Sequence, residues 1–71
     1  MNKGLKDLRI ERGITLDELA SLSSLSKLYL YNLENGLIKD PTIDDIGQIA
    51  LALECNIADV CLALLGNLEA K

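Results

Sequence analysis

Few side chains in this sequence are equipped for chemistry, and their spacing limits what they can do. There is no histidine, so no imidazole stands beside a serine or cysteine as a general base. Cys55 and Cys61 are the two thiols, and two thiols without histidine or further cysteine make no plausible zinc site. They stand six apart, off a single helical face, and read as small hydrophobic side chains suited to a reducing compartment. The adjacent carboxylates Asp44 and Asp45 follow a threonine at what reads as a helix start, a position that explains them without catalysis. No glycine-rich phosphate loop follows a strand. Enzymatic chemistry, a metal and a cofactor are therefore not expected. What remains is a stripe of Ser26, Lys27, Leu28, Tyr31 and Asn32, which helical spacing gathers on one side of a short element. Groups of this kind recognise a surface rather than break a bond.

The elements that must position this stripe are marked by sparse punctuation. Residues 2–12 read as a first helix, with Leu5 and Leu8 facing one way and Gly13 as its stop. Thr15-Leu16-Asp17-Glu18 is a capping box that opens a second helix over about 16–22, with Leu19 and Ala20 inward. Ser23-Ser24-Leu25-Ser26 interrupts it, because serines compete for backbone hydrogen bonds. Ser26 caps a third helix over about 27–34, with Leu30 and Leu33 pointing inward and Asn35-Gly36 closing it. A loop runs to Pro41. Thr42 caps a fourth helix over about 43–53, where Ile43, Ile46, Ile49, Ala50 and Leu53 repeat at helical spacing. Asn56 caps a fifth over about 57–65, stopped by Gly66-Asn67.

Bulk properties agree with this reading. The chain has 71 residues, enough for one domain with a modest core. Its only aromatic residues are Tyr29 and Tyr31, so the core is aliphatic and rich in leucine, a good helix former. The expected class is all-α, a compact five-helix domain over residues 1–66 with a tail at 67–71. Nothing reads as a signal peptide or approaches a membrane-spanning run, and a cytoplasmic location is expected. Net charge is −4, yet six of the seven basic residues lie within the first 39 positions. The acidic excess falls later, so one face can differ in charge from the whole.

The second and third helices, residues 15–35, are separated by a short turn, which is the spacing of a helix-turn-helix whose second member enters the DNA major groove. On that spacing Ser26, Lys27, Leu28, Tyr31 and Asn32 would meet base edges. Thr15, Leu16, Asn35, Lys39 and Thr42 would meet phosphates.

The run Thr15-Leu16-Asp17-Glu18-Leu19-Ala20, then Leu25-Ser26, Leu30, Leu33-Glu34-Asn35-Gly36, Pro41, and Ile49-Ala50 with Ala52-Leu53 resembles the Cro/CI-type (XRE-like) phage-repressor family over about residues 5–65. The resemblance implies the lambda-repressor-like fold, sequence-specific binding of double-stranded DNA, transcriptional repression, and a homodimer on a palindromic operator. It also implies that Arg9 of the first helix pairs with Glu34 at the end of the third. Cys61, Leu62 and Leu68 are left over from the core as a candidate dimer seam, while Val60, Leu64 and Leu65 serve the core.

Some positions depart from the family pattern. Leu16 stands where the resemblance implies a phosphate-binding glutamine, and Ser24 where it implies a glycine of positive φ, at a cost of roughly 1 kcal/mol. Ser23 stands at a usually apolar position and Leu22 at a usually polar one. The loop Leu37-Ile38-Lys39-Asp40 offers one cation beside one anion. With Leu16, Leu28, Tyr31, Leu37 and Ile38, the outer face is unusually apolar, and a protein-binding use of the same scaffold is the alternative expectation.

Overall fold

The computed structural model describes residues 4–69, with side chains as far as Gly66. It contains α1 (Leu5–Glu11), α2 (Leu16–Ser23), α3 (Lys27–Glu34), α4 (Ile43–Leu53) and α5 (Ile57–Glu69). Each of the three middle helices begins at the hydroxyl the sequence points to. Thr15 Oγ1 accepts from the Glu18 amide while the Glu18 carboxylate accepts from the Thr15 amide, completing the capping box. Ser26 Oγ accepts from the Tyr29 amide, and Thr42 Oγ1 from the Asp45 amide. At α5 the start is half of such a box, with the Asp59 carboxylate accepting from the Asn56 amide.

These helices are too short to persist alone and depend on shared burial. Leu5 of α1, Leu19 of α2, Leu30 and Leu33 of α3, Ile49 and Leu53 of α4, and Val60 of α5 are buried in one core. Each fully buried leucine stabilises by about 1.5–3 kcal/mol. α4 packs on α2 and α5, α3 on α2 and α5, and α1 on α5. Arg12 contributes from the edge: its Nε donates to the Leu53 carbonyl at 3.0 Å, placing a cation at the negative end of α4.

Several expectations change. Ile43 is 75% exposed rather than in the core, although Asp45 in the same turn is tied to α3. Leu65 is exposed and Ala63 takes the buried position. Gly66 does not stop the last helix, which continues to Glu69. Gly66 is itself buried, and a helix packed along one side tolerates glycine at about 1 kcal/mol. Leu16 and Ile38, expected on the outer face, are half-buried against the core.

The turn between α2 and α3 is held by serines. Ser23 is fully buried, yet its hydroxyl lies 3.5 Å from the Ala20 carbonyl it donates to and accepts from the Leu25 amide at 3.3 Å. Its carbonyl accepts from Gln48 Nε2 of α4. A serine is thus satisfied where the family pattern favours an apolar residue. Ser24 follows at φ 61°, ψ 25°, the left-handed conformation expected for a glycine. A side chain there is strained by about 1–2 kcal/mol, partly offset by the chain entropy glycine would lose on folding. Ser24→Gly should therefore stabilise the domain by about 0.5–1 kcal/mol, raising the melting temperature by a few degrees in a calorimetric scan. An unchanged or lower melting temperature would show that the serine is not strained.

Candidate nucleic-acid interface

Arg9 of α1 is buried, and its guanidinium bonds to two other parts of the chain. Its Nε donates to Glu34 Oε2 at 2.7 Å and its Nη2 to Glu34 Oε1 at 3.3 Å, a two-pronged contact with the last residue of α3. Its Nη1 donates to the Ile14 carbonyl at 2.9 Å, in the strand of chain that leads into α2. The two side chains are only 11% and 5% exposed. One planar cation thereby joins α1, the entry to α2 and the exit of α3. The exit is closed further by Asn35, whose Nδ2 donates to the Tyr31 carbonyl at 2.7 Å.

α3 presents its outer side between these fixed ends. Leu28 is 69% and Tyr31 53% exposed, three residues apart on one face. Ser26 and Lys27 are exposed beside them, and Asn32 is half-buried. Lys27 Nζ lies 3.0 Å from Asp17 Oδ1 of α2, both side chains well exposed. Thus a cation of the recognition stripe and a carboxylate at the start of α2 partly neutralise each other. Such an exposed pair is worth about 0–1 kcal/mol and can exchange for another partner.

The residues expected at phosphates form a second group. Thr15 and Thr42 use their hydroxyls as helix-cap acceptors, which leaves the hydroxyl proton able to donate outward. Asn35 has committed one amide hydrogen to Tyr31. Lys39 is exposed in the loop before α4. Leu16 turns its side chain toward the core, so it offers only its amide, at the positive end of α2. That end also carries Asp17 and Glu18. The Glu18 carboxyl is held below its usual pKa by the Thr15 backbone amide and then by the Thr15 side chain, so it stays charged.

On the opposite side of the molecule's functional logic, Cys61 is half-buried and Leu62 exposed on α5. Cys61, Leu64 and Leu65 border a shallow depression of about 370 Å³ together with Pro41 and Ile46. The side chain of Leu68 lies outside the described residues.

Several positioning residues escape a sequence reading. Asp17 as the partner of Lys27, Arg12 as a cap of α4 and Gln48 as a cap of the α2 end all depend on how helices cross. Tyr29 is another: its hydroxyl donates to Asp45 Oδ2 at 2.6 Å, tying α3 to the first turn of α4. The signal for it was available, since a half-buried tyrosine needs a hydrogen-bond partner for its hydroxyl.

Comparison with known families places this geometry. The chain matches the helix-turn-helix family model over residues 5–60, spanning α1 to the first turns of α5. The protein belongs to this helix-turn-helix family, of the Cro/CI (XRE) type, a DNA-binding regulatory family rather than an enzyme family. No curated protein and no solved structure matches the chain significantly. Among the described residues no single helix is long and apolar enough to cross a membrane.

Two measurements check the anchoring of α3. Removing one partner of the Arg9–Glu34 pair leaves a buried charge alone, so Arg9→Ala should cost about 3 kcal/mol in urea unfolding. Arg9→Met combined with Glu34→Met should recover part of that loss. A cost for the single variant under about 1 kcal/mol would mean the pair behaves as an exposed one. Burial, and then the Asp45 carboxylate, raise the Tyr29 phenol to about 12 from its ordinary 10.0. Its hydrogen bond is therefore fully present below the ordinary value and lost as pH rises through about 12. Phenolate absorbance of the Tyr31→Phe variant should titrate near that upper value, and Asp45→Asn should lower it. A midpoint at the ordinary value would remove the tie between α3 and α4.

Proposed function

We propose that this protein is a sequence-specific, repressor-like transcriptional regulator that reads the major groove with α3. The observation that carries the reading is the helix held by its cap and by the guanidinium, with an outward-facing stripe, inside a chain of a DNA-binding family. In this reading Ser26, Lys27, Leu28, Tyr31 and Asn32 meet base edges. Thr15, Leu16, Asn35, Lys39 and Thr42 position phosphates. A cytoplasmic homodimer, with Cys61, Leu62 and Leu68 at its seam, would set two α3 helices about 34 Å apart on a palindromic operator.

The electrostatics define what binding should look like. Arg9 and Arg12 are committed to the scaffold, leaving Lys27 on α3 and Lys39 in the loop before α4 as the cations of the proposed interface. Each phosphate neutralised contributes about −0.9 to the slope of log affinity against log salt, so the slope should be about −2 per protomer. A salt series against random duplexes, followed by selection of bound sequences, tests this. Lys39→Ala should weaken all sequences alike and flatten the slope by about 1. Lys27→Ala and Asn32→Ala should erode the preference for the selected half-site. Failure to bind any duplex at low salt would overturn the reading.

A second reading is favoured by one specific observation: Leu22, Leu28, Tyr31 and Leu37 are all exposed around the helix-turn-helix, while Lys27 is offset by Asp17. Exposed apolar side chains in such number suit a protein partner. In that case the same scaffold serves as an accessory regulator or antirepressor, and binding would be insensitive to salt.

A further inference from the structure

The outer stripe of α3 has an unusual chemistry for base reading, because its largest exposed side chains are a leucine and a tyrosine ring and its one cation already has a partner. Lys27 Nζ sits 3.0 Å from the Asp17 carboxylate. Ser26 Oγ accepts from the Tyr29 amide. Asn35, just past the helix, is turned back on the Tyr31 carbonyl. The two large exposed side chains left at the front, Leu28 and Tyr31, are three residues apart and share a face. Leu28 has no hydrogen-bonding atom beyond its backbone.

We propose that α3 reads A·T pairs through the thymine C5-methyl group, with Leu28 and the ring of Tyr31 as the apolar reading surface. The inference rests on the DNA-binding function proposed above and specifies its ligand. The reason is the inventory of the major groove: guanine shows two acceptors, cytosine a donor, adenine a donor and an acceptor, and only thymine an apolar group. A leucine over guanine or cytosine would strip water from polar atoms and give them no partner, which costs affinity. Over thymine it covers a methyl and gains. Asn32, one turn on from Leu28, carries the amide that matches adenine N6 and N7, so the neighbouring polar group favours the same base pair.

Uracil differs from thymine only in lacking that methyl, so it isolates the contact. From the sites selected in the salt-controlled experiment, duplexes are made with each thymine replaced in turn by deoxyuridine. Affinity should fall about fourfold at the thymine beneath Leu28, which is the roughly 0.8 kcal/mol of one buried methyl at 1.4 kcal/mol per tenfold. Leu28→Ala should bind thymine and uracil duplexes equally at that position, and because the side chain is exposed it should unfold at the wild-type urea midpoint. Equal affinity of wild-type protein for thymine and uracil duplexes at every position overturns the inference, as does selection of G·C pairs throughout the half-site. Those outcomes leave DNA binding intact, whereas no binding to any duplex at low salt overturns the DNA-binding function and this inference with it.

Discussion

The fold turns on one buried guanidinium. Arg9 gives two of its nitrogens to Glu34 and a third to the Ile14 carbonyl, so a single side chain fixes the end of α3 against α1 and against the chain entering α2. A helix of eight residues has little intrinsic stability. Leu30 and Leu33 bury its inner side, but apolar contact is not directional and would allow the helix to slide or rotate. The planar fork of arginine supplies the direction. The Ser26 cap at one end and the Tyr29–Asp45 hydrogen bond along its side complete a set of polar constraints that leave the outward face in a single orientation.

That arrangement has an electrostatic consequence. A chain with net charge −4 has few cations to distribute, and Arg9 and Arg12 go to the scaffold, one inside it and one capping α4. Lys27, the cation best placed on α3, faces Asp17 across the helix-turn-helix. The carboxylates of Asp17 and Glu18 serve α2 as first-turn charges and capping groups, and the same position that favours them locally sets negative charge where a phosphate would approach. Under the proposed DNA-binding function, local helix stability and phosphate affinity would oppose each other at the start of α2. The Lys27–Asp17 pair reduces the conflict without removing it, since an exposed pair can reopen when a phosphate competes for the lysine.

How much of this was legible in the sequence follows from which interactions are local. The caps at Thr15, Ser26 and Thr42 are read within four residues, and α3 and α4 accordingly have the bounds their capping and closing residues imply. Ser24 in the left-handed region could be expected only through the family resemblance, which puts a positive-φ glycine at that position. The meeting of Arg9 and Glu34, 25 residues apart, could be anticipated only through the family resemblance. Ile43 and Leu65 show the limit of periodicity, which names one side of a helix but not which of its residues the neighbours cover. Gly66 shows the limit of propensity, since packing carried α5 past a residue that favours stopping. Lys27–Asp17, Gln48–Ser23 and Tyr29–Asp45 depend on helix crossing angles that no local pattern encodes.

The rigid anchoring and the apolar outer face belong together physically. Charge–charge attraction declines slowly with distance, so lysines and arginines that face phosphates tolerate a helix that shifts by an ångström. Dispersion contact between a leucine and a methyl loses a quarter to a half of its strength over a gap of about 0.5–1 Å. An interface that depends on Leu28 and Tyr31 therefore needs its backbone held more closely than a charged one would. The buried arginine fork, the satisfied serine turn and the tyrosine tie to α4 provide that holding. The same rigidity would serve an apolar protein partner equally well, because close packing at an interface core makes the same demand on position. What separates the two uses is therefore not the scaffold, which suits both, but whether the surface opposite Leu28 also carries phosphates for Lys27 and Lys39.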